Sequence, residues 1–400
     1  MFENLFRPAR ARAREIAPES KAYAAPLIAL SLAGRPNWMA RDYASLAQLG
    51  VMQNAIAYRC VRMIAEGAAS VPFLLYDGEQ EIEEHPLLAL LSAPNPRQSG
   101  VELFERWYGF LQCAGDTYLQ AITLNGQVRE LYTLRPDRVT AVPGPQGWPI
   151  AYDYSVNGQT MRIASANGFL PVLHTALFHP LSEMCGLSPL EAAQVPLDIH
   201  NAGAAWTKSL LDNAARPSGA LVYKGPDGQP GLTDEQFRRL KNELEDAYQG
   251  ATNAGRPMVL EGGLEWRAMS FAPSDMDFSD LRNAAAREIA LAFGVPPMLL
   301  GIPGDNTFSN YAQANLSFWR QTILPLVART SQALTKWLGP QFGVNLRIGY
   351  DVDSVNALAD ERAGLWEKLN TAAFLTINEK RAAAGYSPLD GGDAFPGSAP

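Results

Sequence analysis

Apolar residues recur at steps of three and four between positions 277 and 293, and this spacing predicts an amphipathic helix. The positions that carry the pattern are Phe278, Leu281, Ala285, Ile289, Ala292 and Phe293. Gly294 offers a left-handed residue at the C-terminal end, and Pro296 with Pro297 prevents continuation. The end of this helix is therefore encoded locally.

A second periodic run over residues 309–338 predicts a long helix, which Pro325 should kink because its ring and missing N–H disturb the helical ladder. Gly339 and Pro340 are predicted to end it. The segment between the two helices consists of Gly301, Ile302, Pro303, Gly304, Asp305, Asn306, Thr307 and Phe308. Glycine permits bending, so we predict a flexible loop, and the segment has no Lys or Arg.

The part of the chain up to residue 187 mixes helical and strand periodicity, which indicates an α+β fold. Helices are predicted over residues 54–70, 85–91 and 101–114. Strands are predicted over residues 71–76, 116–123, 131–134, 139–142, 150–156, 161–163 and 174–179. An Asn-Gly pair at Asn125 and another at Asn157 are hairpin turn signals between neighbouring strands.

The second part of the chain alternates long helices with a compact insert. A helix is predicted over residues 188–214, with a kink at Pro196. The insert comprises a strand over 220–223, a helix over 233–248 capped by Thr233, and strands over 257–260 and 264–271. A strand over 344–348 and helices over 357–371 and 378–384 follow the kinked helix. An insert between two helices predicts a small α/β tip on a helical pair.

The composition is that of a globular protein: 400 residues, 47% hydrophobic and 18% charged. Three cysteines, widely spaced and odd in number, favour neither a disulfide framework nor a metal site and suit synthesis in a reducing cytoplasm. No apolar run has the roughly 18 residues that a membrane helix needs. The arginine-rich N-terminal stretch lacks an apolar segment after it, so we interpret it as an arm and not a secretory signal.

The sequence contains no complete residue pattern for catalysis. His174 and His179 are predicted on opposite faces of one strand, and His85 and His200 have no ligand at metal-binding spacing. No phosphate-binding GxxxxGK[ST] loop and no GxSxG nucleophile motif occurs. We therefore expect no enzyme activity, cofactor or metal, with an α+β enzyme of unrecognised site as the alternative.

The helix of the insert is strongly charged, with Glu235, Arg238, Arg239, Lys241 and Glu245 among its residues. Such a helix is either a solvated face with helical charge pairs or a docking surface, and the sequence leaves both open. The net charge of −8 argues against tight phosphate binding, yet an acidic wall suits a passage through which DNA slides.

Several separated blocks, in this order, resemble the portal proteins of long-tailed bacteriophages and gene transfer agents. They are AYRCVRMIAEGAASVPFLLY, HPLLALLSAPNPRQSGVELFE, GDTYLQ, LRPDRV, GLSPLEAA, RPSGALVYKG with LTDEQFRRLK, residues 275–300, and LTINEKRAAAGYSPLDGGD. The resemblance implies a ring with wing, stem, clip and crown regions. It divides the chain into an N-terminal arm (1–50), an α+β wing (51–187), stem helix 1 (188–216), a clip (217–272), stem helix 2 (273–294), a tunnel-loop region (295–309), a kinked wing helix and strand (310–350), a short crown (351–393) and a tail (394–400).

The resemblance also implies a role: a dodecameric ring at one capsid vertex that conducts double-stranded DNA. The tunnel loop, Gly301 to Phe308, would face the DNA. The partners implied are the major capsid protein, a head-tail adaptor and the packaging ATPase, terminase, with no membrane. Adaptor or motor docking would fall on clip residues Lys224, Glu235, Arg238, Arg239, Lys241 and Glu245, and the stem would include Trp206, Leu210, Leu281, Arg287 and Ile289. A head-tail adaptor or minor head protein is the other structural alternative.

Overall fold

The computed structural model describes residues 39–40, 42–212, 219–223, 233–248, 264–268, 278–303, 308–386 and 388–394. Its α-helices are α1 (Tyr43–Ser45), α2 (Ala55–Ala69), α3 (Pro86–Ser92), α4 (Gly100–Ala114), α5 (Pro189–Ala192), α6 (Gln194–Asp212), α7 (Asp234–Tyr248), α8 (Phe278–Phe293), α9 (Phe308–Phe318), α10 (Leu324–Phe342), α11 (Ala359–Thr371) and α12 (Ile377–Ala383). Its strands are β1 (Phe73–Asp77), β2 (Gln80–Ile82), β3 (Asp116–Leu124), β4 (Gln127–Leu134), β5 (Val139–Pro143), β6 (Pro149–Val156), β7 (Gln159–Ala164), β8 (Val172–Ala176), β9 (Gly219–Tyr223), β10 (Leu264–Ala268) and β11 (Leu346–Tyr350). The predicted strand over 257–260 and most of the predicted arm lie outside the described residues.

Helices α2 and α4 pack against each other within the main core, where Ile64, Leu103, Trp107 and Tyr108 are fully buried. The Trp107 indole N–H donates to Thr330 Oγ1 at 3.3 Å, which ties α4 to α10. Burial of large apolar side chains of this kind stabilises a fold by about 1.5–3 kcal/mol each. The core therefore joins residues more than 200 positions apart into one body.

The described strands form antiparallel sheets of the orders β11-β1-β2, β4-β3-β8 and β5-β6-β7, and a β9–β10 pair. In the first of these sheets Phe73 lies opposite Tyr350, so a strand from the end of the chain completes a sheet begun near its start. The β5-β6-β7 sheet contributes to a second, smaller core. Its buried members are Tyr118, Leu134, Tyr152, Ile163 and Val172.

Part of the predicted arm belongs to this body. Met39 is only 4% exposed, and its backbone N–H donates to Asp198 Oδ2 at 3.1 Å. The Gln194 amide donates to the Met39 carbonyl, and Leu46 is buried in the main core. Within the predicted arm, Met39 is therefore held by hydrogen bonds to α6 and Leu46 by burial in the main core.

The helix breaks fall at positions other than the predicted prolines. Helix α5 ends at Ala192 and α6 begins at Gln194, so Pro196 lies in the first turn, where its missing N–H costs no hydrogen bond. Pro325 is likewise the second residue of α10, and a π-helical turn (Trp319–Ile323) precedes it. A bend was predicted at both prolines; the sequence did not show that each break would precede its proline.

The prediction that Gly339 and Pro340 end the kinked helix is wrong. Helix α10 continues through Pro340 to Phe342. The Phe342 ring lies 6.3 Å from the ring of His85 and packs on the main core. Tertiary packing of the last turn outweighs the local cost of the proline.

Candidate functional site

Helices α6 and α8, the predicted stem, pack against each other. Gly203 permits close approach, because a Cβ at that position would lie 3.0 Å from Cγ of Arg282 on α8. Ile289 is fully buried, whereas Trp206 is 38% and Leu281 48% exposed. Ile289 therefore fixes the helix to the body, and the other two present apolar surface. Leu210 lies within α6, but its side chain is not among those described.

The predicted tunnel loop has a fixed base. Helix α8 ends at Gly294, which takes the left-handed conformation (φ 67°) that the sequence predicted. A 3₁₀ turn (Pro297–Leu300) follows, and Gly301 adopts φ 71°, a region that glycine enters at no steric cost. The exposed Arg287 side chain donates to the carbonyl of Pro303. The base of the loop is thus held to α8 before residues 304–307, which lie outside the described residues.

Two of the predicted loop residues, Ile302 and Phe308, belong to the base of the loop and to the next helix. Ile302 is 5% exposed, so its side chain anchors the loop in the body and is not available to DNA. The sequence did not predict the burial of Ile302, because a single apolar residue between Gly301 and Pro303 belongs to no periodic pattern. Phe308 is the first residue of α9 and not a loop residue. Gly301 and Pro303 are exposed, as a solvent-facing loop requires.

A hydrogen bond links the end of the stem to the kinked helix. Thr322 Oγ1, in the π-helical turn (Trp319–Ile323), donates to the carbonyl of Gly294 at 2.6 Å. The widened turn brings this hydroxyl to the carbonyl at the C-terminal end of α8, which has no partner within its own helix. The C-terminal end of α8 is therefore joined to the π-helical turn that lies between α9 and α10.

The insert contains an antiparallel pair, β9 with β10, and the charged helix α7. Thr233 caps α7 as predicted: its hydroxyl accepts from the Gln236 N–H at 3.3 Å, and the Gln236 side chain accepts from the Thr233 N–H at 3.0 Å. Among the predicted docking residues, Glu235, Arg238, Arg239 and Lys241 are exposed. Lys224 and the side chain of Glu245 lie outside the described part of the chain.

One polar cluster was not predicted from the sequence. The Asp116 carboxylate, at the start of β3, accepts from the Gly186 N–H at 3.0 Å on both oxygens and lies 2.7 Å from His174 Nε2 on β8. The Tyr118 ring stacks on His174 at 4.4 Å. The three bonded positions are 58 and 70 residues apart, so no local motif could have indicated them. The cluster fixes the segment that leads into helix α5.

The other histidines also bond to nearby backbone or side chains. Strand β8 ends at Ala176, so the prediction that His179 shares a strand with His174 is wrong; His179 Nδ1 accepts from the Leu181 N–H at 3.0 Å in the loop that follows. His85 caps α3 through Nδ1, at 3.1 Å from the Leu87 N. The described residues contain no group of three potential metal ligands, and none of the described helices is long and apolar enough to span a bilayer.

The described residues form an α+β fold in which the helices α6 and α8 pack against each other, with the strand pair β9–β10 and helix α7 between them in the chain. Residues 55–385 match the family described as phage portal protein. The chain belongs to the phage portal protein family.

Known relatives agree with this assignment over most of their length. The portal protein of Enterobacteria phage HK97 is 24% identical over 355 residues, which cover 86% of this chain and 81% of that protein. A chain in the neck of an empty gene transfer agent particle is 51% identical, with a TM-score of 0.71, and the match covers 89% of this chain and 96% of that chain. A chain in the neck of the native particle, computed with C12 symmetry, is 49% identical with a TM-score of 0.69 and the same coverage.

Proposed function

We propose that this chain forms a ring of twelve copies at one vertex of a phage-like particle and conducts double-stranded DNA through its centre. The observation that carries the proposal is the match to the gene transfer agent neck with C12 symmetry, at 49% identity over 96% of that chain. A cyclic ring requires each copy to meet its neighbours through two different surfaces. Membership of the phage portal protein family supports a structural role.

The described surfaces suit passive guidance of DNA. A protein that neutralises many phosphates binds DNA tightly and releases it slowly, whereas a chain with a net charge of −8 makes few such contacts. The loop over residues 301–308 contains no Lys or Arg, so its contacts with a moving duplex would be brief. Its base is fixed by Ile302 and Arg287, so the loop would move about a stable anchor.

The partners in this proposal are the proteins that a portal meets while the particle assembles. The wing would meet the major capsid protein, the packaging ATPase would dock on the ring while DNA enters, and a head-tail adaptor would later bind the clip. The chain would be made in the bacterial cytoplasm and act at the portal vertex of the particle. The exposed α7 residues Arg238 and Arg239 are the candidates for these clip contacts.

The ring is tested by electron microscopy of the purified full-length chain. Class averages should show rings with a central hole and twelve repeats. A monodisperse monomer at all protein and salt concentrations would reject the ring and favour the alternative of an α+β enzyme. Rings with a different number of repeats would correct the stoichiometry alone.

Charge reversal of the clip helix tests the docking surface. Changing Arg238→Glu together with Arg239→Glu should reduce adaptor attachment at least tenfold and leave rings intact, because the reversed charges repel an acidic partner surface. The matched control is Arg238→Lys with Arg239→Lys, which keeps the charge. Attachment measured by co-sedimentation of rings with purified adaptor should be equal for all three proteins if α7 is only a solvated face.

A further inference from the structure

Two large apolar side chains lie almost fully in solvent on the loop over residues 177–187. Phe178 is 82% exposed and Leu181 is 91% exposed. We call these two side chains the apolar knob. Single exposed apolar residues are common, but two neighbours at such exposure on one loop are typical of a contact surface.

The loop that carries the knob is anchored at both ends. At one end the Leu177 N–H donates to the Gly115 carbonyl at 2.7 Å. At the other the Gly186 N–H donates to the Asp116 carboxylate at 3.0 Å. The two glycines are so close that a Cβ on Gly186 would lie 2.0 Å from the Gly115 oxygen. The ends of the loop therefore cannot separate without breaking buried contacts.

The middle of the loop is also bonded internally. His179 Nδ1 accepts from the Leu181 N–H at 3.0 Å, and Ser182 Oγ accepts from the N–H groups of Met184 and Cys185 at 3.2 and 3.1 Å. These bonds fix the backbone beside Leu181 before any partner arrives. A preordered apolar anchor loses little conformational entropy on binding, as interface hot spots require.

The same molecule carries an apolar groove of about 370 Å³ between α3 and α4. We call it the α3–α4 groove; its apolar lining includes Val71, Phe73, Leu88, Leu91, Val101 and Phe104. Gly100 brings the two helices together, since a Cβ there would lie 2.2 Å from the Leu91 carbonyl oxygen. Val101 at its edge is 55% exposed, so the groove is open to a partner.

The knob and the groove lie at opposite ends of α4. The knob loop bonds to Gly115, the residue that caps the C-terminal end of this helix, and the groove includes Gly100 and Val101 at its N-terminal end. Helix α4 has 15 residues, which at 1.5 Å per residue gives about 22 Å. A knob and a groove separated in this way cannot meet within one copy, but they can meet between two copies.

We propose that the apolar knob of one copy inserts into the α3–α4 groove of the next copy and so links neighbours around the ring. The inference rests on the proposed ring, because a cyclic assembly joins two different surfaces of identical chains. The knob supplies an apolar side chain of a size that the groove can enclose, and none of the residues that line the groove carries a charge that burial would leave unpaired. The partner of this surface is therefore a second copy of the chain.

Cross-linking between copies tests the contact. The chain carries Leu181→Cys together with Val101→Cys in a Cys185→Ser background, and a short bismaleimide is added to rings checked by electron microscopy. We expect a ladder of covalent multimers on denaturing gels. The matched controls carry only one of the two introduced cysteines in the same background, where Cys60 and Cys113 remain, and they should stay largely monomeric on the gel because a knob cysteine meets no second knob.

A charge-pair variant gives an independent readout. Leu181→Lys alone and Val101→Asp alone should each lower the fraction of chains in rings at least tenfold, and the double variant should restore most of it. The knob contact would be overturned if assembled rings gave no ladder and the double variant did not restore assembly. The proposed ring would be unaffected by that result. Monomers from the unaltered chain would instead reject the ring, and the knob contact with it.

Discussion

At the scale of single residues, Asp116 joins three parts of the chain. Its carboxylate accepts from Gly186 and lies beside His174, while its own backbone belongs to β3. The residue is 8% exposed, so each of these bonds forms where water competes little. An acid at this position looks unremarkable in the sequence because its partners are brought to it only by the sheet. Long-range polar clusters of this kind are the part of the site that a single sequence does not reveal.

His200 makes stability depend on pH. Burial lowers the pKa of its imidazole below the usual value of about 6.5, and the positive charge of Arg282 lowers it further. The neutral ring accepts a hydrogen bond at Nδ1 from the Asn54 amide, at 3.1 Å. Below pH 6.5 the unfolded chain takes up a proton that the folded chain resists. The free energy of unfolding should therefore fall as pH drops from about 7 toward 5.

The variant His200→Gln isolates this contribution, since glutamine can accept from Asn54 but does not titrate. Urea unfolding at several pH values should give a shallower loss of stability for the variant than for the wild-type chain. The two proteins differ at no other residue, so the difference between the two curves reports His200. Parallel curves would show that the His200 imidazole is protonated equally in the folded and unfolded states.

At the scale of elements, the pattern of apolar residues predicted helices and strands well but placed their breaks imperfectly. Local periodicity indicated α2, α4, α8 and α10 because each buries one face along its length. The positions of the helix breaks near Pro196 and Pro325 depend on which backbone group can lose its helical hydrogen bond. Tertiary contacts determine which group that is. The hydrogen bond between Thr322 and the Gly294 carbonyl therefore had no signal in the sequence.

Deletion of residues 304–307 tests the loop as an element. Because Arg287 holds Pro303 and Ile302 is buried, the anchor on α8 should persist after the deletion, and ring assembly should stay normal. We expect the yield of DNA-filled particles to fall at least tenfold. The yield is measured by nuclease-protected DNA per particle, with replacement of the same four residues by four serines as the length-matched control.

A normal yield of protected DNA from the deletion would remove the functional claim for the loop. Equal loss in the serine control would assign the effect to the side chains of Asp305, Asn306 and Thr307 and not to loop length. Failure of ring assembly in the deletion alone would show that the loop stabilises contacts between copies.

At the scale of the whole molecule, charge sets how the assembly treats DNA. Each copy has a net charge of −8, so a ring multiplies negative charge around any passage. We predict that rings bind linear duplex DNA weakly, with a slope of log affinity against log salt shallower than about −3, because few phosphates are neutralised. Fluorescence anisotropy over a salt series measures the slope. A steep slope would indicate a basic lining that the net charge conceals.

The sequence predicted the α+β class, the helical pair and the insert, and the order of its blocks indicated the family that residues 55–385 match. It did not predict which apolar side chains are exposed to solvent in the folded chain. Exposure of Phe178 and Leu181, or burial of Ile302, depends on where distant segments pack. Surfaces for assembly use ordinary apolar residues, which leave no distinctive spacing in one chain.

The Asp116 cluster also bears on force. The strand pair β3–β8 and the segment before α5 are held by one carboxylate and by the contact between Gly115 and Gly186. We predict that a force on the predicted stem helices passes directly into this sheet, where several hydrogen bonds resist it in parallel. The chain should therefore bend little between the predicted wing and the predicted stem, and a load on one should be shared by the other.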